Sequence, residues 1–208
     1  MTGLLLAATV SMAVIMAFCG ISLYSRDLRE EYSEKAVQAA KFAARVIDGD
    51  LVDTYARSGE AIQSYQGEGY QETNELLCSY FESLSGIQYL YVYQIREDGC
   101  HVVFDTDPEV QENGTLGELV PFDESFLPYV PTLLKGERMD VLENDDTYGF
   151  FLTAYEPVYD SRGRCVAYAG ADASMVYLEG YIRDFIWQVL LVFLGFLVLI
   201  VEIGRAHV

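Results

Sequence analysis

Residues 89–108 read YLYVYQIREDGCHVVFDTDP. Tyr89, Tyr91 and Tyr93 alternate with Leu90, Val92 and Gln94, the period of two that puts successive side chains on opposite faces of a strand. Glu97-Asp98-Gly99 supplies a turn in which glycine takes positive φ without steric cost. Cys100–Phe104 is a second β-rich run. Asp105-Thr106-Asp107-Pro108 closes it, because proline cannot donate to a ladder. The stretch predicts a β-hairpin whose tyrosine face runs into an acidic rim. Such a hairpin either walls a small-molecule pocket or is an ordinary half-buried sheet with hydroxyls at its edge.

Helical spacing precedes the hairpin. Leu28, Tyr32, Ala36, Ala40, Ala43, Ile47 and Leu51 recur every three or four residues and form one apolar stripe. The stripe pairs either with its copy in a second subunit, giving a homodimer, or with the chain's own sheet. Asp50 is placed to cap a short helix over Leu51–Arg57. Glu72–Ser85 resumes helical spacing, with Leu76, Leu77, Tyr80, Phe81 and Leu84 on one face and Gly86 as its stop. After the hairpin, Val110–Gly117 reads as a polar loop and Pro121–Leu134 as a short helical segment broken by Pro128 and Pro131. Strands follow at Arg138–Glu143, Phe150–Asp160 and Cys165–Ala173, with connections short enough for antiparallel pairing. The expected class is α+β: a long N-terminal helix and a five-stranded antiparallel sheet, flanked by two transmembrane helices.

The flanks carry the apolar content. Neither Gly3–Tyr24 nor Phe185–Val201 contains a charged residue, and a bilayer core needs roughly 17–25 apolar residues in a helix. The expected organisation is residues 1–24 as one membrane helix, 25–184 as the globular domain and 185–201 as a second membrane helix. The first segment lacks a basic n-region and a small-residue cleavage site, so it reads as an anchor and not as a signal peptide. The tail Glu202–Val208, EIGRAHV, resembles translated sequencing adapter and reads as non-native. Arg26 and Arg29 follow the first span with no basic residue before it, which taken literally points the domain inward. Long loops translocate largely regardless of charge, so 25–184 is still expected on the extracytoplasmic side of the plasma membrane.

The net charge is −19, and the charged residues outside 25–184, Glu202 and Arg205, cancel. A surface this acidic disfavours nucleic acid and attracts cations. Of four cysteines, Cys19 lies in the first span, leaving an odd three. Cys100 and Cys165 each start a predicted strand beside a turn, and a bridge between them is one reading. No zinc-ligand spacing and no catalytic triad pattern is present; His101 lies in a strand and His207 in the tail. Asp105-x-Asp107-x-Glu109 lacks the sixth-position glycine and twelfth-position glutamate of an EF-hand loop.

The chain resembles the extracytoplasmic Cache family, the PAS-like sensor domains of bacterial membrane receptors. The resemblance rests on Tyr-Leu-Tyr-Val-Tyr (89–93), Phe-Asp-Thr-Asp-Pro (104–108), Tyr-Glu-Pro-Val-Tyr-Asp (155–160) and Tyr-Ala-Gly-Ala-Asp-Ala-Ser (168–174). It implies a PAS-like sheet whose concave face binds an amine, amino acid or carboxylate, with the signal passing through the second membrane helix to a cytoplasmic output domain. The Arg-x-x-Trp-Tyr motif of the amino-acid-binding subclass is missing, since the one tryptophan, Trp187, lies in the second span. The candidate ligand contacts are Tyr91, Tyr93, Asp105, Asp107, Arg138, Tyr148, Tyr155 and Asp172, with Arg138 best placed to grip a carboxylate and Lys135 next. The tyrosines and carboxylates suit a cationic or zwitterionic ligand. No cofactor, metal or catalytic residue is expected. The alternatives left open are a divalent-cation or pH sensor, and a membrane-anchored surface protein that only pairs with partners.

Overall fold

The structure, a computed structural model, describes residues 2–146 and 149–206. The helices are α1 (Thr2–Val46), α2 (Val52–Ala56), α3 (Tyr70–Ser83), α4 (Pro108–Asn113), α5 (Val130–Leu134) and α6 (Met175–Ala206). The strands are β1 (Ile87–Arg96), β2 (Gly99–Asp105), β3 (Leu119–Val120), β4 (Leu142–Asp146), β5 (Gly149–Tyr159) and β6 (Cys165–Ser174). They form one sheet in the order β3-β2-β1-β6-β5-β4, and every neighbouring pair is antiparallel. The fold is the expected α+β class with one strand more than expected: β3 is two residues long and carries no period to read.

The chain divides into two compact units, Tyr32–Met175 and Met1–Glu31 with Val176–Val208. In the first, β1 and β2 form the hairpin expected from residues 89–108, with Gly99 at φ 147°. The β5–β6 turn is organised by the buried Asp160 carboxylate. Its Oδ1 accepts from the backbone N–H of Arg162 at 3.0 Å and of Arg164 at 2.8 Å, and the Arg164 guanidinium reaches Oδ2 at 2.7 Å. These donors hold the Asp160 carboxyl below the usual carboxylate range, the Arg164 backbone N–H first among them.

One face of the sheet is covered by helices. Leu90, Val92, Phe104, Ala154, Ala169, Ala171 and Ala173 are all buried on it. The Phe104 ring stacks on Tyr70 of α3 at 4.6 Å and meets Tyr55 of α2 edge-on at 5.7 Å. The apolar stripe of α1 is buried at Tyr32, Ala36, Ala40, Ala43 and Ile47, within this one chain. Packing on its own domain therefore occupies the stripe that was also open to a second subunit. Gly86 admits the Tyr32 ring, since a Cβ there would lie 2.3 Å from Cε1.

Several local expectations are corrected. Asp50 does not cap α2, whose N-cap Leu51 makes no side-chain bond; Asp50 Oδ1 accepts from the Ser161 N–H and hydroxyl, both at 3.0 Å. The buried face of α3 is Tyr70, Asn74 and Leu77, while Leu76 is exposed. Val110–Gly117 is not all loop, because Asp107 caps α4 by accepting from Glu109 N–H and Pro108 sits in its first turn. The strand expected over Arg138–Glu143 is β4, which starts at Leu142, so Arg138 precedes it. Cys100 and Cys165 are not bridged. They lie on β2 and β6, the two strands that flank β1, about 9.6 Å apart by strand spacing and beyond the roughly 7 Å a disulfide spans.

In the second unit, Tyr24 stacks on Phe185 with ring centroids 4.5 Å apart. Among the described residues two helical segments, Val10–Val46 and Gly180–Glu202, are long and apolar enough to cross a membrane, and their apolar windows are 0% buried. Phe18, Trp187, Leu191 and Phe196 project outward, a run of exposed apolar surface that a bilayer accommodates and water does not.

Candidate functional site

Strand alternation sends Tyr89, Tyr91 and Tyr93 to the face opposite Leu90 and Val92. Their same-face cross-strand partners follow from register: Asp105 opposite Tyr91 on β2, and Asp172, Gly170 and Tyr168 opposite Tyr89, Tyr91 and Tyr93 on β6. Thr153 and Tyr155 of β5 continue the row beside Asp172 and Gly170. This face opens into a cavity of about 400 Å³. Asp107, Glu109 and Val110 line it from the start of α4, Val120 from β3, and Phe122, Asp123 and Phe126 from the segment after β3. Its size is within the range of small-molecule sites.

Gly170 makes room for an aromatic side chain: a Cβ there would lie 2.2 Å from Cε2 of Tyr91, so the ring lies over the bare backbone of β6. The Tyr91 and Tyr93 rings sit 4.6 Å apart, and the Tyr91 hydroxyl is 3.2 Å from that of Tyr155. It also donates to Asp172 Oδ1 at 3.4 Å. Tyr93 donates to Asp105 Oδ2, and Asp105 Oδ1 accepts the backbone N–H of Asp107 at 2.9 Å. A reciprocal Asn74–Gln111 amide pair at 2.8 and 3.0 Å fixes α4 against α3, and the Gln111 amide donates to the Asp105 carbonyl.

Burial governs the titration of these groups. It pushes the Asp105 carboxyl up to about 6; the Tyr93 hydroxyl and Asp107 N–H act in the other direction, and the Asp107 charge adds a smaller upward push. Burial also raises Tyr91 and Tyr93 well above the ordinary phenol value, assisted by the charges of Asp172 and Asp105 respectively. Both hydroxyls stay protonated at neutral pH and act as donors.

Six of the eight candidate contacts line this one cavity: Tyr91, Tyr93, Asp105, Asp107, Tyr155 and Asp172. Tyr148 lies outside the described residues. Arg138 does not reach the cavity. It lines a separate groove with Val37, Ala40 and Glu156, and its guanidinium meets Glu156 Oε1 at 2.5 Å. Glu156 follows Tyr155 on β5, so its side chain points to the helix-covered face. The carboxylates of Asp105 and Asp107 accept successive backbone N–H groups, the second from Glu109 at 2.8 Å, which gives the Asp105-x-Asp107-x-Glu109 run a local structural role. Among the described residues no group of three or more metal-binding side chains converges. His101 ties the hairpin turn to the loop before β3, with Nε2 3.0 Å from Asp98 and Nδ1 3.1 Å from the Gly117 carbonyl.

Sequence reasoning missed the aromatic remainder of the wall. Phe151 and Thr153 were legible as the same face as Tyr155, and Tyr168 as the same face as Asp172, by alternation along a strand. Phe122 and Phe126 carried no such signal.

Similar solved structures include the sensor domain of E. coli DcuS, at 17% identity over 75% of this chain and 98% of that one, with a TM-score of 0.47. The ligand-binding domain of the Campylobacter jejuni chemoreceptor Tlp3, in complex with L-valine, is 15% identical over 77% of this chain and 66% of that one, with a TM-score of 0.35. No protein-family model and no curated protein matches the sequence.

Proposed function

We propose that the chain is the membrane-tethered sensor of a signalling receptor, with residues 25–184 on the extracytoplasmic side and the cavity binding a small ligand. The observation that carries this reading is the cavity of about 400 Å³ between the tyrosine face of the sheet and the segment after β3. A packed domain gains nothing from leaving such a volume beside buried carboxylates, because voids and desolvated charge both cost stability. On this reading the cavity binds its ligand, with the Tyr91 and Tyr93 hydroxyls held protonated as hydrogen-bond donors.

Connectivity supplies a route for the signal. Asp172 lies two residues before the end of β6, and α6 starts at Met175 with no residue between them. A ligand that favours one arrangement of β6 over another shifts the population of states at the start of α6. The second apolar helix then carries the change toward an output domain on the cytoplasmic side.

Isothermal titration of the full chain in lipid nanodiscs, against amines, amino acids and carboxylates, tests the reading. Saturable one-to-one binding of at least one small molecule is expected, and Tyr155→Ala weakens it. Absence of any binding across such a panel, with the domain folded, overturns it.

A further inference from the structure

We propose that the cavity takes a small organic ammonium ion that carries no carboxylate of its own, in preference to amino acids and dicarboxylates. The inference rests on reading the cavity as the ligand site and goes further by assigning the charge of what enters it. Among the described residues lining the cavity there is no lysine, arginine or histidine, while five of them are acidic: Asp105, Asp107, Glu109, Asp123 and Asp172. An amino acid or dicarboxylate needs a bidentate or point-charge cation to hold its own carboxylate, and none lines this space.

The basic residues lie elsewhere. Arg57, Arg96, Lys135 and Arg164 line a different cleft, at the opposite end of β1 from Ile87. Arg138 is on the other face of the sheet, paired with Glu156. A chain with only 13 lysines and arginines places four around one cleft and none around the cavity. The two sites therefore differ in sign.

The walls have the second property an ammonium ion needs, which is aromatic surface. The tilted Tyr91–Tyr93 pair, the Tyr89–Phe151 edge contact at 5.6 Å and the Phe126–Tyr155 contact at 5.5 Å line the space from two strands, β1 and β5, and from the segment after β3. The faces of such rings attract cations, and they do so more strongly when water is excluded. Asp105 and Asp172 are both buried, on the strands that flank β1, so carboxylates stand on either side of the tyrosine pair. The donors that reach Asp105 are a neutral hydroxyl and a backbone N–H, which leave its charge uncompensated until a cation arrives.

The test titrates the full chain, in phosphatidylcholine nanodiscs at pH 7.5 and constant ionic strength, with six probes: tetramethylammonium, n-butylammonium, 1,4-diaminobutane, L-valine, succinate and Ca²⁺. The three ammonium ions are expected to bind saturably and at least tenfold more tightly than L-valine, with succinate and Ca²⁺ silent. Asp172→Asn raises the Kd for the ammonium ions about tenfold, and Tyr91→Phe, which keeps the ring, raises it less. L-valine or succinate binding as tightly as the amines overturns the charge assignment and leaves the sensor reading standing. A response to Ca²⁺ with the amines silent likewise overturns it. Silence from all six probes, with near-ultraviolet circular dichroism reporting a folded domain, overturns the assignment here; the sensor reading falls only if the wider panel is silent too.

Discussion

The two faces of the central sheet are made from the same strands, residue by alternate residue, and they do opposite things. On the helix-covered face, Leu90, Val92, Phe104 and the alanines 169, 171 and 173 are buried and apolar, and the aromatic stack of Phe104 on Tyr70 closes the contact. On the cavity face, Tyr91, Tyr93, Tyr155, Asp105 and Asp172 bond to one another around a space they do not fill. The first face holds the domain together. The second is held open by it, with desolvated carboxylates that the packing of the first must offset. Stability and recognition are thus separated by the pleat of the sheet, and substitutions on the two faces should give distinct signatures.

The largest effect belongs to the packed face. Phe104→Ala removes a ring that is 1% exposed and stacks on Tyr70, at an expected cost of about 3–5 kcal/mol in unfolding free energy. Chemical denaturation measures it. Because the ring does not line the cavity, the ligand affinity of the remaining folded protein should change by less than threefold.

Asp105→Asn breaks the comparison from the other side, since removing a cavity group should stabilise the fold. In the native state burial lifts this carboxyl from 3.8 to about 6, so between those pH values the native protein holds a proton that the unfolded chain has lost. Stability contributed by this group therefore falls as pH rises from about 4 to 6, by up to about 3 kcal/mol at 1.36 kcal/mol per pKa unit. The groups around it are the Tyr93 hydroxyl and the Asp107 N–H and carboxylate, and all are present in both proteins. The variant and the wild type should unfold alike near pH 4, with the variant the more stable at pH 7.5. Equal stability at both pH values would show that the carboxyl is solvated. Ligand binding moves the opposite way: wild-type affinity for an ammonium ion drops as pH falls below about 6.

Tyr91→Phe has a smaller cost in stability. It loses hydroxyl contacts to Tyr155 and Asp172 while keeping the ring over Gly170, an expected loss of about 1 kcal/mol. A thermal melt alongside a ligand titration sharpens the contrast with Phe104→Ala, because here affinity should suffer more than stability.

How far the sequence reached follows the same division. The hairpin and the cavity face were legible because alternation is a local pattern: once Tyr91 and Tyr93 share a face, register brings Asp105 and Asp172 beside them. Where tertiary contact overrode local composition, reading failed. Asn144-Asp145-Asp146 has turn chemistry, yet it pairs with Phe151, Phe150 and Gly149 as strand, which moves the start of β4 to Leu142 and leaves Arg138 outside it. The Val110–Gly117 error was avoidable, since Asp107-Pro108 followed by Glu109 is a helix-start signal. The segment that brings Phe122 and Phe126 over the cavity has no period, and only long-range packing decides where it lies.

Arg138 gives the smallest expected effect and the cleanest separation of the two faces. By sequence it was the best residue for gripping a ligand carboxylate; in the fold it faces solvent, 66% exposed, beside Glu156 at 2.5 Å. An ion pair this exposed contributes at most about 1 kcal/mol, because water screens it and ordering two long side chains costs entropy. Arg138→Ala should therefore shift the unfolding midpoint slightly and leave the affinity for every probe unchanged within twofold. If the variant instead loses affinity for L-valine or succinate, then a carboxylate-bearing ligand is held on the helix-covered side of the sheet. The division of labour between the faces would then be reversed.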